Sequence, residues 1–393
     1  ILLDQMKRDS EMTFMNNNFY APVRSTRHSG VNNLANDGDT TLSGSAGIAQ
    51  ASVTPKILTG AFDISKLAID ATKSSQSAVT KALTFQAQKL AADFNRSANR
   101  QLYGDGSGII AQVITSGGSV GVGSISVKPR DASLDDGRSI DNYGTVNGDI
   151  SPVKYLSPGQ IIGVGTAGAA LGTVTSVTSG STTGTIVTSG AVVTAAEDAI
   201  FLMSGGGIGA GTMEVNGIRK ALSSTTGTNT YAGIARNQLG WTPQFGSEAE
   251  ALTLSRMEQY YLSAREYSQP GDKYAIFVNK TLYRKYGDIL TSMRRTVDAT
   301  ELLGGWKGLS FAAGAGEVGV FLDFDVPDGE VLILNMDTWT ICQVSELDWM
   351  EDPQGGGLLR LSNKIQWQAQ LVWFFELLCV DPAANGRTTQ KSA

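Results

Sequence analysis

The chain has 393 residues, enough for two or three domains. Its 41% hydrophobic content can build real cores, and its formal charge of −6 lacks the basic footprint that tight nucleic-acid binding requires. Low charge (17%) and 46 glycines point to much β-structure and many turns, and no apolar run approaches the roughly 18 residues that span a membrane.

The chain begins at Ile1, which removal of a leader and a shortened chain explain equally well. Residues 15–60 are rich in Asn, Ser, Gly, Thr and Asp. Phe19–Val23 and Val53–Leu58 are placed to pair as two legs of a long hairpin, with Asn36–Asp39 and Ser43–Ser45 as turn-formers at its tip. Composition alone reads as a disordered tail or linker. The alternative is an arm that other chains hold in order, since it has too little apolar surface to fold alone.

A long helix is expected within 74–108, capped by Ser74 or Ser75. Val79, Leu83, Ala87, Leu90, Phe94, Ala98 and Leu102 recur at steps of three or four, which gives one apolar stripe. Gly104 suits a stop in the left-handed region. The stripe is too short and too poor in Leu and Ile for a coiled coil.

From Tyr155 to Ala196 there is not one charged residue. Thr, Val, Ser and Gly alternate instead, which predicts a small β-domain over 113–205. The remainder mixes helix (248–266, 281–294) and strand (Tyr274–Val278). Val318–Phe324 and Val331–Leu334 read as a hairpin around Val326-Pro327-Asp328-Gly329. Ile365–Leu371 has a clean period of two and runs into the apolar segment 372–380, which reads as a buried strand despite Glu376. The class is α+β, without a βαβ rhythm. Cys342 and Cys379 read as buried free thiols.

Chemistry is sparse. The only histidine, His28, lies in the polar arm, so neither a His metal pair nor a Ser–His dyad is on offer. Two Gly-x-Gly-x-x-Gly matches, at Gly163 and Gly314, lead into strand rather than helix and read as chance. Asp323 with Asp325, and Glu346 with Asp348, read as solvated surface pairs. No catalytic residue, cofactor or metal is expected.

The order of parts nevertheless resembles the major capsid proteins of tailed bacteriophages with the Hong Kong 97 fold. The resemblance is carried by the arm, the long helix ending in Asn99–Gly108, Glu214–Ile218, Tyr231–Arg236 and the closing Leu378–Gly386. It implies an N-terminal arm (1–18), an extended E-loop (19–62) and a peripheral domain with a spine helix (63–112). The inserted β-domain (113–205), a peripheral return (206–234), an axial domain (235–350) and a peripheral strand with C-terminal tail (351–393) would follow. It also implies self-assembly into pentamers and hexamers of an icosahedral head, enclosing double-stranded DNA without sequence-specific binding. Portal, scaffold or decoration proteins would be partners, in the virion head and in host cytoplasm during assembly. An encapsulin-like cellular nanocompartment shell is the alternative. Inter-subunit contacts are expected at Phe19, Tyr20, Arg24, Arg27, Asp37, Asp39 and Lys56. Some members of the family cross-link a loop lysine to a neighbour. The loop here offers only Lys56, near its base, so boiled particles should run as a single 41.4 kDa band and not as ladders.

Overall fold

The computed structural model describes residues 2–31, 33, 43–67, 76–114, 124–128, 153–165, 170–180, 183–190, 192, 194–196, 198–203, 214–223, 230–238, 240–246, 250–294, 309–313, 316–327, 329–351, 359–360, 364–389 and 391–392. The elements that carry the architecture are, in chain order, β1 (Asn18–Arg24), β2 (Ile48–Val53), β3 (Lys56–Ser65), α1 (Gln76–Tyr103), β4 (Tyr274–Val278), β5 (Gly316–Leu322), β6 (Val331–Asn335), β7 (Trp339–Gln343) and β8 (Gln366–Cys379).

β8 is the axis of the molecule. Its first half alternates Gln with Trp, Ala and Leu, so one face is apolar; from Phe375 to Cys379 every residue is buried. β3 runs antiparallel along one edge for ten residue pairs, and β7 pairs at the buried end. Asp348–Trp349 and Leu359–Arg360 also pair with β8, and Lys7–Asp9 lies parallel to β7. α1 covers the apolar face. Its Phe94, Ala98 and Leu102 are buried, and a Cβ on Gly60 of β3 would lie 2.9 Å from the Leu90 side chain. At 1.5 Å per residue α1 spans about 42 Å.

A second six-stranded sheet has the order Gln244–Gly246, Gly386–Thr388, β6, β4, β5, Leu309–Ala313. Ala275, Phe277, Leu332 and Leu334 face the main core, while Ile276, Val278 and Ile333 pack under the helices Leu254–Arg265 and Lys280–Arg294. Between α1 and this sheet, six strands within 109–203 close a barrel around Ile125, Val127, Ile162, Val164, Ile186 and Ile200. The barrel's first and last strands, Ile109–Val113 and Ala199–Met203, are neighbours. No helix among the described residues is long and apolar enough to cross a membrane.

Several expectations change. The returning leg of the hairpin is β2, with Phe19 opposite Val53 and Arg24 opposite Ile48; residues 56–58 belong to β3. Val318–Leu322 and Val331–Leu334 do not pair with each other, because β4, apolar on both faces, lies between them. β4, the helix 280–294 and the parallel β5 form a βαβ unit that the sequence reading denied. Trp339–Gln343 pairs with β8 rather than with the 244–335 sheet, whereas Gly386–Thr388 crosses into that sheet. Within the segment read as the N-terminal arm, Leu2, Leu3 and Met6 sit in the main core. The helix expected from 248 begins at Leu254 behind a Thr253 cap, since Glu250–Ala251 pairs with Lys391–Ser392. Gly104 closes α1 by donating to Gln101 O at 2.9 Å; the left-handed glycines are Gly106 and Gly108. Ser74, Ser75 and the loop tip 36–39 lie outside the described residues.

Candidate assembly interface

The β3–β8 register decides which side chains share a face. Leu58, Gly60, Phe62 and Ile64 stand opposite Trp373, Leu371, Ala369 and Trp367, on the side that α1 covers. Ile57, Thr59 and Ala61 stand opposite Phe374, Val372 and Gln370, on the other side. A water-facing side of an antiparallel sheet is ordinarily polar. Here Ile57 is 60% exposed and Phe374 and Val372 are half-buried. Exposed Val344 and Met350 lie beside them, donating their backbone N–H to Phe374 O (3.1 Å) and Gln370 O (2.7 Å). The chain thus leaves a connected apolar strip on the face of its main sheet that α1 does not cover.

The hairpin rises from the same region. Phe19, Ala21, Val23, Ala51 and Val53 are buried along one side, and beyond the strands Ser25 N and Ser29 N still bond Gly47 O and Ser45 O. Before β1, Asn16 and Asn17 make a tight turn with φ of 49° and 61°, which leaves Phe14 and Met15 exposed beside it. Of the residues singled out from sequence, Phe19 is spent in the protomer's own core, 1% exposed and with its ring 5.0 Å from Phe14. Tyr20 and Lys56 are half-buried. Arg24 is exposed and donates Nε–H to Thr26 O at 3.1 Å; Arg27 is also exposed. Asp37 and Asp39 lie outside the described residues. His28 is exposed, its Nδ1 accepting from Gly30 N. The apolar strip escaped the sequence reading because it needs the β3–β8 pairing, which joins residues more than 300 apart.

Polar networks join the surrounding elements. Arg100 of α1 makes a two-pronged ion pair with Glu214, on the segment that returns from the barrel. Asn99 Nδ2 donates to Asp325 (2.8 Å) and Asp323 (3.3 Å), and the Tyr155 hydroxyl donates to Asp325 at 2.6 Å. Lys154 lies 3.6 Å from Asp325. Burial pushes the Tyr155 hydroxyl well above its ordinary value and lowers Lys154. Asp323 and Asp325 are therefore no solvated surface pair: they bind the foot of the barrel to α1. Glu346 and Asp348 are exposed, as read.

Two further carboxylates are buried. Glu330 accepts a hydrogen bond from Arg387 (2.7 Å) and makes an ion pair with Arg219 (3.3 Å), joining the second sheet to the helical turn Ile218–Ala221. Glu376, in the middle of β8, accepts from Asn216 N (2.7 Å), Leu377 N (3.0 Å) and Asn216 Nδ2 (3.3 Å). Burial pushes its carboxyl up to about 8. Cys342 and Cys379 are free and buried, and burial raises both thiols to about 12.

No protein-family model and no curated protein matches the chain. Among solved structures it is similar to the capsid asymmetric unit of cyanophage A-1(L): the match covers 99% of this chain and 91% of that one, at a TM-score of 0.55 and 11% identity. The fold is that of a phage capsid subunit. The capsid of the native GTA particle (TM-score 0.48, 10% identity, 100% and 90% covered) and that of Myoviridae phage XM1 (0.43, 10%, 99% and 90%) are more distant likenesses. The capsid fold agrees with the mixed α+β class expected from sequence.

Proposed function

We propose that this chain is a major capsid protein that self-assembles into the pentamers and hexamers of an icosahedral head around double-stranded DNA. The observation that carries the reading is the main sheet, covered by α1 on one face and left on the other with an apolar strip in which half-buried Phe374 joins exposed Ile57 and Val344. A protein that stayed monomeric would leave that strip against water, whereas a shell repeats one modest contact many times. The net charge of −6 suits a container, because its walls would not grip the packaged phosphates. The barrel is read as an inserted domain carried by each subunit, and portal, scaffold or decoration proteins as its partners in the head and during assembly in the host.

Electron micrographs of the expressed protein test this. Closed icosahedral particles are expected, and a lasting monomer would refute the proposal. Ile57→Asp should leave the subunit folded, since the side chain is mostly exposed, yet reduce particle yield by at least about tenfold through burial of an unpaired charge at each contact. DNA inside particles made during infection separates a phage head from a nanocompartment, whose cargo is protein.

A further inference from the structure

The buried carboxamide of Asn99, on α1, joins pieces of chain that lie far apart in sequence. Its Oδ1 accepts from Leu3 N at 3.4 Å, in the N-terminal turn Leu2–Gln5. Its Nδ2 donates to Asp325 Oδ2 at 2.8 Å and to the Asp323 carboxylate at 3.3 and 3.4 Å, on the loop that leaves β5. The other oxygen of Asp325 meets the barrel, taking the Tyr155 hydroxyl at 2.6 Å with the Lys154 ammonium 3.6 Å away. Asp323 is shared as well, since Leu2 N donates to its Oδ2 at 3.4 Å.

A carboxamide has an accepting end and a donating end, and both sides of this junction select the same orientation. Turned over, Asn99 would set its oxygen against two carboxylates and its NH2 against a backbone N–H. The Leu2 and Leu3 N–H groups lie in the first turn of a helix, where no intrahelical acceptor exists. Both residues are buried, so losing these acceptors would leave costly unpaired donors. At the barrel end, Arg96, Arg100 and Lys154 lie 5.9, 5.6 and 4.6 Å from the centroid of the Tyr155 ring. These cations keep a grip on the ring that does not depend on its hydroxyl. The hydroxyl is what ties the barrel to Asp325, and through Asp325 to Asn99.

We propose that Asn99 couples the N-terminal turn to the barrel: seating of the turn favours docking of Tyr155 on Asp325, and docking favours seating. Linkage makes the effect equal in both directions. A ligand that pulls on the barrel, or a segment that competes for the seat of the turn, is then felt at the other end. The coupling lies within one copy of the chain and does not depend on assembly.

Hydrogen exchange on the soluble subunit reads the coupling. Tyr155→Phe removes the bond to Asp325 and keeps the ring. Met6 N, bonded to Leu2 O at 3.2 Å, should then exchange at least about fivefold faster, although no bond of its own is removed. In the other direction, Leu3→Ala loosens the turn through lost packing. Leu156 N, bonded to Val153 O at 3.0 Å beside Tyr155, should speed up by a similar factor. Amides of the helix Leu254–Arg265 should keep the parent rate in both variants. Asn99→Leu has no polar end, so adding Tyr155→Phe to it should leave Met6 unchanged. A response confined to the substituted end would overturn the coupling. So would equal acceleration of all three regions, which is a general loss of stability, or a cross effect that persists beside Asn99→Leu. Should Asn99→Leu fail to fold, the two single variants decide alone.

Discussion

Glu330→Ala should destabilise the subunit by about 3–5 kcal/mol, the cost of removing one partner from a buried ionic network. Glu330 is fully buried, and a single carboxylate oxygen takes Arg387 at 2.7 Å and Arg219 at 3.3 Å. Without it, two buried guanidinium groups stay in the interior with no Glu330 carboxylate between them. The three side chains come from separate stretches of chain: a helical turn, the residue before β6, and the strand Gly386–Thr388. The loss therefore falls on the seam between the second sheet and the main core. Glu330→Gln keeps an acceptor without the charge and should cost less. Urea denaturation of the soluble subunit gives both numbers; a loss below about 1 kcal/mol for the alanine variant would contradict this role.

Glu376→Gln should act in the opposite direction. In the unfolded chain this carboxyl releases its proton near its ordinary value of 4.5; in the folded protein, where burial opposes ionisation despite three N–H donors and the nearby Lys56, it holds the proton to about 8. Between these values the folded state binds more protons than the unfolded one. The carboxyl's contribution to stability is thus greatest at and below pH 4.5 and is lost as pH rises toward 8, by about 4 kcal/mol over the window. A glutamine is neutral throughout. Its oxygen can accept from Asn216 N and Leu377 N, and its amide can meet the Asn216 side chain. The variant should melt higher than the parent at pH 8 and lose this part of the pH dependence; parallel melting curves from pH 5 to 8 would refute it.

What could be read from sequence was local in origin. α1 announced itself by Leu90, Phe94, Ala98 and Leu102, and β8 by its alternating glutamines, because both patterns come from one element burying one face. The hairpin between β5 and β6 was misread because proline and glycine mark a change of direction without naming the neighbour; β4 takes the place between them. Asp323 and Asp325 looked solvated because Asn99 and Tyr155, their partners, are over 150 residues away. The N-terminal helical turn was hidden because the residues that follow it are mostly polar, although its Leu2 and Leu3, and Met6 after it, go inward. The apolar strip was out of reach for the same reason, since Ile57 and Phe374 become neighbours only through long-range pairing.

The barrel enters and leaves the body through paired neighbours, with Phe201 opposite Ile109, and its core is separate from that of the body. Between those two strands the barrel touches the body again through Tyr155 and Lys154, which meet Asp325. Lengthening a connection costs little, since closure entropy rises only with the logarithm of loop length. A replacement domain that kept the Phe201–Ile109 pairing and the tyrosine that meets Asp325 would consequently be carried by the same body.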